Sequence, residues 1–148
     1  MRNVCKGLVL LMSLACLAFL GGCGESGESA KTPVDLDLTS LSETMAYSQA
    51  QQILMDPSKY DGLTCRLAGI YNSFRDFDTE ELYFVCGVPD VTGCCNATVE
   101  IALDDSYAYP EDYPEEFDEI TVMGTISSYD NGGYEGCIVK GAVLEEDM

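Results

Sequence analysis

The chain has 148 residues, with 7 Lys and Arg against 26 Asp and Glu, a net charge of −19, eight Cys and no His. This length predicts one domain. The absence of His excludes Ser-His-Asp and Cys-His catalysis and every His-containing zinc site, and the negative charge argues against a nucleic-acid partner, which requires basic residues.

The first 22 residues have the features of a bacterial secretion signal. Arg2 and Lys6 provide a basic start, and the run from Leu8 to Leu20 is apolar except for Ser13. The run is shorter than the ~20 residues of a membrane span and is typical of a signal-peptide core.

The signal ends in Leu20-Gly21-Gly22-Cys23, which resembles the lipobox of bacterial lipoproteins. The resemblance implies that residues 1–22 are removed and that Cys23 carries a diacylglyceryl group. The protein would then be lipid-anchored on the extracytoplasmic face of a bacterial cell membrane, since two acyl chains supply stable anchoring. The alternatives are an ordinary secretion signal and an uncleaved anchor.

Residues 23–38 read as the lipidated Cys and a flexible Gly/Ser/Glu linker. Loss of residues 1–22 leaves five basic residues against 26 acidic ones, a mature net charge of −21. An anionic membrane surface would repel such a chain, so the lipid and not electrostatics would provide the anchor.

Residues 39–148 read as a single domain with one helix and five strands. Apolar residues at helical spacing predict a helix over 40–55, stopped by Asp56-Pro57. Alternating and β-branched residues predict strands over 63–74, 82–86, 98–103, 120–127 and 137–144. The Asn-Gly of the segment 129–134 indicates a hairpin turn.

Residues 56–144 resemble the oligonucleotide/oligosaccharide-binding (OB) domains of uncharacterised bacterial envelope proteins. The resemblance depends on the Tyr60-Asp61-Gly62 turn, on Gly69 and Gly124 inside strands, and on the segment 120–126. It implies a mainly β fold, with a five-stranded OB-like barrel over 60–144 after the helix. A small β-sandwich is the alternative. Pro110 and Pro114 argue against a helix in the long acidic connection 104–119, which reads as a solvated loop.

Five cysteines follow Cys23, and the predicted topology places all of them toward one end of the barrel. They are Cys65, Cys86, Cys94, Cys95 and Cys137. Disulfides are favoured outside the cytoplasm, with Cys137 and either Cys94 or Cys95 as the first pair to consider. The alternatives are buried free thiols and a thiolate metal or redox site with zinc as the metal, although no Cys-x-x-Cys is present.

The two loops that bind ligands in OB barrels are aromatic and acidic in this chain. The candidate ligand-binding residues are Phe74, Phe77, Asp76, Asp78, Tyr129 and Tyr134. This composition suits a sugar, a cationic peptide or a cation and does not suit nucleic acid. Core-capping aromatics and solvated charges are the plainer interpretation. The carboxylates from Asp76 to Glu81 also raise calcium as a lesser possibility.

The sequence therefore predicts a monomeric, non-enzymatic lipoprotein whose domain binds an envelope or transport partner, or a small ligand, without a cofactor. The alternative in a different class is a Cys-based metal-binding or thiol-redox protein. A hydrolase that uses paired carboxylates is a third hypothesis.

Overall fold

A computed structural model describes residues 33–145 of the chain. Its regular elements are β1 (Leu36–Asp37), a 3-10 turn (Leu38–Ser40), α1 (Glu43–Met55), a second 3-10 turn (Pro57–Tyr60), β2 (Thr64–Arg75), β3 (Leu82–Pro89), β4 (Asn96–Leu103), β5 (Glu119–Asn131) and β6 (Tyr134–Glu145). The predicted signal peptide and Cys23 lie outside the described residues. Within 33–145, no helix has both the length and the apolar character needed to cross a membrane.

Five of the six strands close into a ring. Strand β2 pairs with β3 and β5, β3 pairs with β4, β4 runs parallel to β6, and β6 returns to β5. This arrangement confirms the prediction of a mainly β, five-stranded, barrel-like domain preceded by one helix. Because the strands belong to one sheet that returns to itself, the fold is not the sandwich of two sheets that was the alternative.

The interior of the ring follows from period-two alternation along the strands. Val99 and Ile101 of β4, Val122 of β5 and Val139 of β6 are each no more than 2% exposed. Helix α1 begins after Ser42 and packs Ala50 and Ile53 into the same core. Alternation therefore determines which residues of each strand point outward, and these form the surface available to a ligand.

Gly69 lies next to the point at which the strand paired with β2 changes from β5 to β3. Residues 64–70 pair with β5, and residues 70–75 pair with β3. A Cβ at Gly69 would lie 2.5 Å from the carbonyl oxygen of Gly87, and one at Gly124 of β5 would lie 2.7 Å from Val139. The two strand glycines named in the sequence are therefore points of close backbone approach.

The hairpin between β5 and β6 is tighter than the sequence predicted. Both strands extend further than expected, and the ladder continues to the pair Asn131 and Tyr134. The connection is Gly132-Gly133, with φ of 63° and 95°. Two glycines in this left-handed region permit a two-residue turn, which lengthens the hairpin.

The predicted linker over 23–38 is too long at its C-terminal end. Leu36 and Asp37 form β1, which pairs in parallel with Cys65 and Arg66 of β2, and Leu38 is buried. These residues belong to the folded domain because Leu38 enters the core and Asp37 forms an ion pair with Arg66.

Arg66 is a buried charge that the sequence analysis did not single out. Its guanidinium donates to Glu145 of β6 at 2.8 and 3.0 Å and to Asp37 of β1 at 2.9 Å. The side chain is only 2% exposed. The fork geometry of Arg allows one residue of β2 to bind carboxylates of both β1 and β6.

The acidic connection between β4 and β5 is more than a solvated loop. Tyr109 and Tyr113 pack on Phe84 of β3, with ring centroids 5.3 and 4.5 Å away, and Phe84 stacks on Tyr71. Backbone hydrogen bonds also join Tyr71 to Phe117 and Asp118. Tyr109 and Tyr113 therefore attach this loop to the barrel, and Glu116 adds a second attachment because its carboxylate accepts a hydrogen bond from the Ser73 N–H.

Candidate functional site

A groove on the outer face of β3, β4 and β6 lies between the two loops in which ligand binding was predicted. It encloses about 750 Å³. We call it the tyrosine groove, and its lining residues are Leu54, Asp76, Tyr83, Val85, Thr98, Glu100, Tyr129, Asp130, Asn131, Cys137, Ile138 and Lys140. Concave sites of this size are typical of small-ligand and peptide-segment binding.

Tyr129 and Glu100 join the two sides of the groove. Tyr129 is on β5, Glu100 is on β4, and β6 runs between them. Tyr129 lies opposite Gly136 of β6, and a Cβ there would be 2.3 Å from the ring. Because Gly136 has no side chain, the ring can cross β6, and the Tyr129 hydroxyl donates to Glu100 Oε2 at 2.7 Å. This hydrogen bond, followed by burial and the carboxylate charge, raises the pKa of Tyr129 to about 12.

The loop between β2 and β3 is ordered by its own carboxylates. Asp76 Oδ1 accepts backbone hydrogen bonds from Asp78 and Thr79, both at 2.8 Å. These bonds, the one from Thr79 first, lower the pKa of Asp76, so it is ionised at neutral pH. Tyr83, at the start of β3, donates to Glu81 at 2.9 Å. The groove therefore has a second tyrosine whose hydroxyl contacts a carboxylate.

Two of the six predicted ligand-binding residues, Asp76 and Tyr129, line the groove. The side chains of Phe74, Phe77 and Tyr134 are 56%, 97% and 82% exposed, and with Asp78 they lie outside the lining. The prediction placed the site at the loop tips, whereas the structure places the groove on the strand face beside them.

The sequence analysis missed three residues that give the groove its chemistry. They are Tyr83, Glu100 and Lys140. A usable signal existed for Glu100, since it lies between the inward-facing Val99 and Ile101 and must point outward. Nothing in the local sequence indicates that Tyr129 crosses β6 to meet it.

The groove is aromatic and predominantly acidic. Tyr83 and Tyr129 supply ring faces, and Asp76, Glu100 and Asp130 supply carboxylates, against the ammonium of Lys140 alone. Ring faces and carboxylates both attract cations. The same groups can stack on and hydrogen-bond to a sugar.

Cys94 and Cys95 lie apart from the other three cysteines, and no disulfide links the five that the structure describes. Glu100 of β4 pairs with Ile138 of β6, and the two strands are parallel. The preceding residue of β6, Cys137, therefore lies beside Val99 of β4. Val99 follows Cys95 by four residues in the sequence. At about 3.3 Å per residue, Cys137 and Cys95 are ~13 Å apart along the strands. A disulfide requires Cα atoms less than ~7 Å apart, so the predicted pairing of Cys137 with Cys94 or Cys95 is wrong.

Three of the cysteines are core residues. Cys65 and Cys86 are fully buried, and Cys137 is 5% exposed. Burial is the main cause that raises the pKa of Cys65 and Cys86 to about 12 and that of Cys137 to about 11. These thiols are neutral at ordinary pH and serve as small apolar side chains, the alternative that the sequence left open.

Of the five cysteines that the structure describes, Cys94 and Cys95 are exposed, and they share a loop with Asp90. The two Sγ atoms are 3.6 Å apart, and Cys94 Sγ is 3.7 Å from Asp90 Oδ2. Among residues 33–145, this is the one group in which three or more possible metal ligands lie within 4.8 Å of one another. The carboxylates of residues 76–81, considered for calcium, form no such group. The five cysteines also do not assemble a four-thiolate zinc site.

Comparison with known proteins adds no relative from which a function could be transferred: the chain matches no protein-family model and no curated protein sequence.

Proposed function

We propose that this chain is a non-enzymatic lipoprotein, anchored through Cys23 on the extracytoplasmic face of a bacterial membrane. In this proposal the tyrosine groove binds a basic segment of an envelope or transport partner. The observation that carries the binding part is the groove itself, with two tyrosine rings and three carboxylates around one lysine. The anchoring part depends on the lipobox-like Leu20-Gly21-Gly22-Cys23.

A basic segment suits the groove better than other ligands do. Lysine and arginine side chains pair with carboxylates and stack on tyrosine rings. The chain carries a strong excess of negative charge, which attracts a cationic partner over distances comparable to the Debye length. A partner with an acidic surface would be repelled by the same field.

The absence of His from the sequence supports a non-enzymatic function, since it removes the commonest general base. The Glu100 carboxylate in the groove accepts a hydrogen bond from the Tyr129 hydroxyl. Such a carboxylate is suited to positioning an aromatic ring for binding.

The binding proposal is tested by titrating the purified chain with an oligolysine or oligoarginine peptide while measuring thermal unfolding. We expect a concentration-dependent rise in Tm that weakens with added salt. The rise should shrink at least fivefold in Tyr83→Ala and in Tyr129→Ala. Phe77→Ala is the matched control, because Phe77 is aromatic and exposed and follows Asp76 in the same loop but lies outside the groove lining.

Two results would contradict the binding proposal. One is a basic peptide that shifts Tm equally in the native chain and in both groove variants, which would indicate non-specific charge attraction. The other is a neutral oligosaccharide that produces the Tyr83- and Tyr129-dependent shift while the basic peptide produces none.

The anchoring proposal has a separate test in Cys23→Ser. We expect the native chain to carry acyl groups by mass spectrometry and to sediment with membranes, and the variant to lack the acyl groups and to remain in the supernatant. A variant that still sediments and still carries acyl chains would refute the assignment of Cys23.

A further inference from the structure

We propose that Asp90, Cys94 and Cys95 form a binding site for a thiophilic divalent cation of the zinc class. The site lies in the loop between β3 and β4, away from the residues that line the tyrosine groove, and it is independent of the function proposed above.

The donor types select the class of ion. Two cysteine sulfurs and one carboxylate oxygen suit Zn²⁺ and the softer cations near it, such as Cd²⁺. Magnesium and calcium prefer all-oxygen sites and would be poorly served by two sulfurs. The sulfurs are the exposed pair of the five cysteines that the structure describes, so an ion can reach them from solvent.

The distances between the ligand atoms match the edges of a coordination tetrahedron. Zinc bonds of about 2.3 Å to sulfur and about 2.0–2.2 Å to a carboxylate oxygen imply S···S near 3.8 Å and S···O near 3.6 Å in tetrahedral geometry. The corresponding distances are 3.6 Å between Cys94 Sγ and Cys95 Sγ, and 3.7 Å between Cys94 Sγ and Asp90 Oδ2. The third edge, from Cys95 to Asp90, is within 4.8 Å and would shorten by a small side-chain rotation.

The loop holds Asp90 in the orientation that the site needs. Asp90 Oδ1 accepts backbone hydrogen bonds from Thr92 and Cys94 at 3.1 Å, while Oδ2 faces the sulfur of Cys94. The Thr92 hydroxyl is 3.0 Å from both carboxylate oxygens. Hydrogen bonds of this kind orient a metal-binding carboxylate and increase affinity.

Binding is a ligand exchange without redox change. Each thiol loses one proton to solvent, and the two thiolates and the Asp90 carboxylate donate electron pairs to the dication, which leaves a complex of net charge −1. Three protein ligands leave a fourth position for water or for a ligand from another molecule. The site is therefore suited to exchangeable binding rather than to a closed structural role.

The test is a titration of the full chain with Co²⁺, and then with Zn²⁺, under a non-thiol reductant. We expect one Co²⁺ per chain and a thiolate-to-cobalt charge-transfer band that equimolar Zn²⁺ abolishes. Cys94→Ser and Cys95→Ser should each remove at least half of the band intensity, and Asp90→Asn should weaken binding at least tenfold. All three variants should keep the native Tm because the loop is exposed.

Asp104→Asn is the matched control, since Asp104 likewise accepts a backbone hydrogen bond, from Ser106, in a loop without cysteines. It should bind as the native chain does. The proposal is overturned if excess Co²⁺ produces no charge-transfer band. It is also overturned if the band survives in the Cys94→Ser, Cys95→Ser double variant, because the ion would then be held by other cysteines.

Discussion

The Tyr129 hydroxyl donates a 2.7 Å hydrogen bond to Glu100 from two strands away, and the ring crosses the intervening strand at Gly136. This contact joins two sides of the tyrosine groove and holds the ring in place. It also exposes one face of an aromatic ring next to a carboxylate, the combination on which the proposed recognition of a basic segment depends.

The ionisation of Tyr129 reports on this contact directly. Its pKa is raised to about 12 in the folded chain, from an ordinary value of 10, chiefly by the hydrogen bond to Glu100. The stabilisation of the folded state by protonated Tyr129 is therefore fully present below pH 10 and is lost as the pH rises from 10 through 12. We expect Glu100→Gln to move one tyrosine of the ultraviolet titration back toward 10.

Glu81→Gln is the matched control for this titration, since Glu81 accepts from Tyr83 and not from Tyr129. It should leave the titration of Tyr129 unchanged. If Glu100→Gln shifts no tyrosine pKa, the hydrogen bond across β6 does not exist in solution.

A side chain at position 136 should destabilise the protein as long as the Tyr129 ring packs across Gly136. A Cβ at Gly136 would lie 2.3 Å from the ring of Tyr129 and would force the ring to move. We expect Gly136→Ala to lower the free energy of unfolding by about 1–3 kcal/mol, measured by urea denaturation. In a Tyr129→Ala background, Gly136→Ala should lower the free energy of unfolding by less than half as much. Equal costs in the two backgrounds would show that the ring does not cause the effect.

Arg66 should contribute far more to stability than the exposed Arg75. Arg66→Met removes a buried guanidinium and leaves Asp37 and Glu145, which are 23% and 32% exposed, facing each other without it. We expect a loss of about 2–3 kcal/mol in the free energy of unfolding, below the usual cost of breaking a buried pair because water reaches both carboxylates.

Arg75→Met is the control, because Arg75 Nη1 is 3.9 Å from the Glu80 carboxylate and donates to the Glu80 carbonyl at 2.9 Å, with both side chains mostly exposed. It should change the free energy of unfolding by less than about 0.5 kcal/mol. Similar costs for the two substitutions would contradict the assignment of a buried role to Arg66.

Thiol reactivity should divide the five cysteines after Cys23 into two groups. Cys94 and Cys95 are exposed and should react with a thiol reagent within the mixing time at neutral pH. Cys65, Cys86 and Cys137 should react only on unfolding, because burial raises their pKa values to about 12, 12 and 11. Among these five thiols, the number that reacts in the fast phase should fall from two to one in Cys94→Ser. Fast labelling of Cys65, Cys86 or Cys137, located by peptide mass spectrometry, would contradict their burial.

The raised pKa values of Cys65, Cys86 and Cys137 also predict that the protein loses stability at high pH. The pKa of each core thiol is raised above its ordinary value of 9, so the neutral form is favoured in the folded state. The corresponding stabilisation is complete below pH 9 and disappears as the pH rises through 11 to 12. Denaturation midpoints of Cys86→Ala and of the native chain should therefore converge in this range.

Much of the fold can be read from local sequence because it depends on local physics. Alternation marked the strands, Asp56-Pro57 marked the end of α1, and Gly69 and Gly124 inside strands supported the resemblance to a barrel. These features depend on backbone geometry and on which face a side chain occupies, and both are encoded within a few residues.

The acidic and aromatic character of the groove was also present in the sequence, but its position was not. Glu100 could be placed on the outer face of its strand because Val99 and Ile101 face inward. That Tyr129 meets it depends on the strand order β4, β6, β5 and on the missing side chain of Gly136. Residues 29 positions apart are brought together only by closure of the sheet.

The cysteines show the same division between local and tertiary information. The sequence alone gives their number and leaves disulfides, buried free thiols and a metal or redox site as three interpretations. Only the tertiary structure separated Cys137 from Cys95, because the register of β4 against β6 displaces them by four residues. The tertiary structure also places the Asp90 carboxylate next to the sulfurs of Cys94 and Cys95. Backbone hydrogen bonds within this loop bring the three side chains together although they are up to five residues apart in sequence.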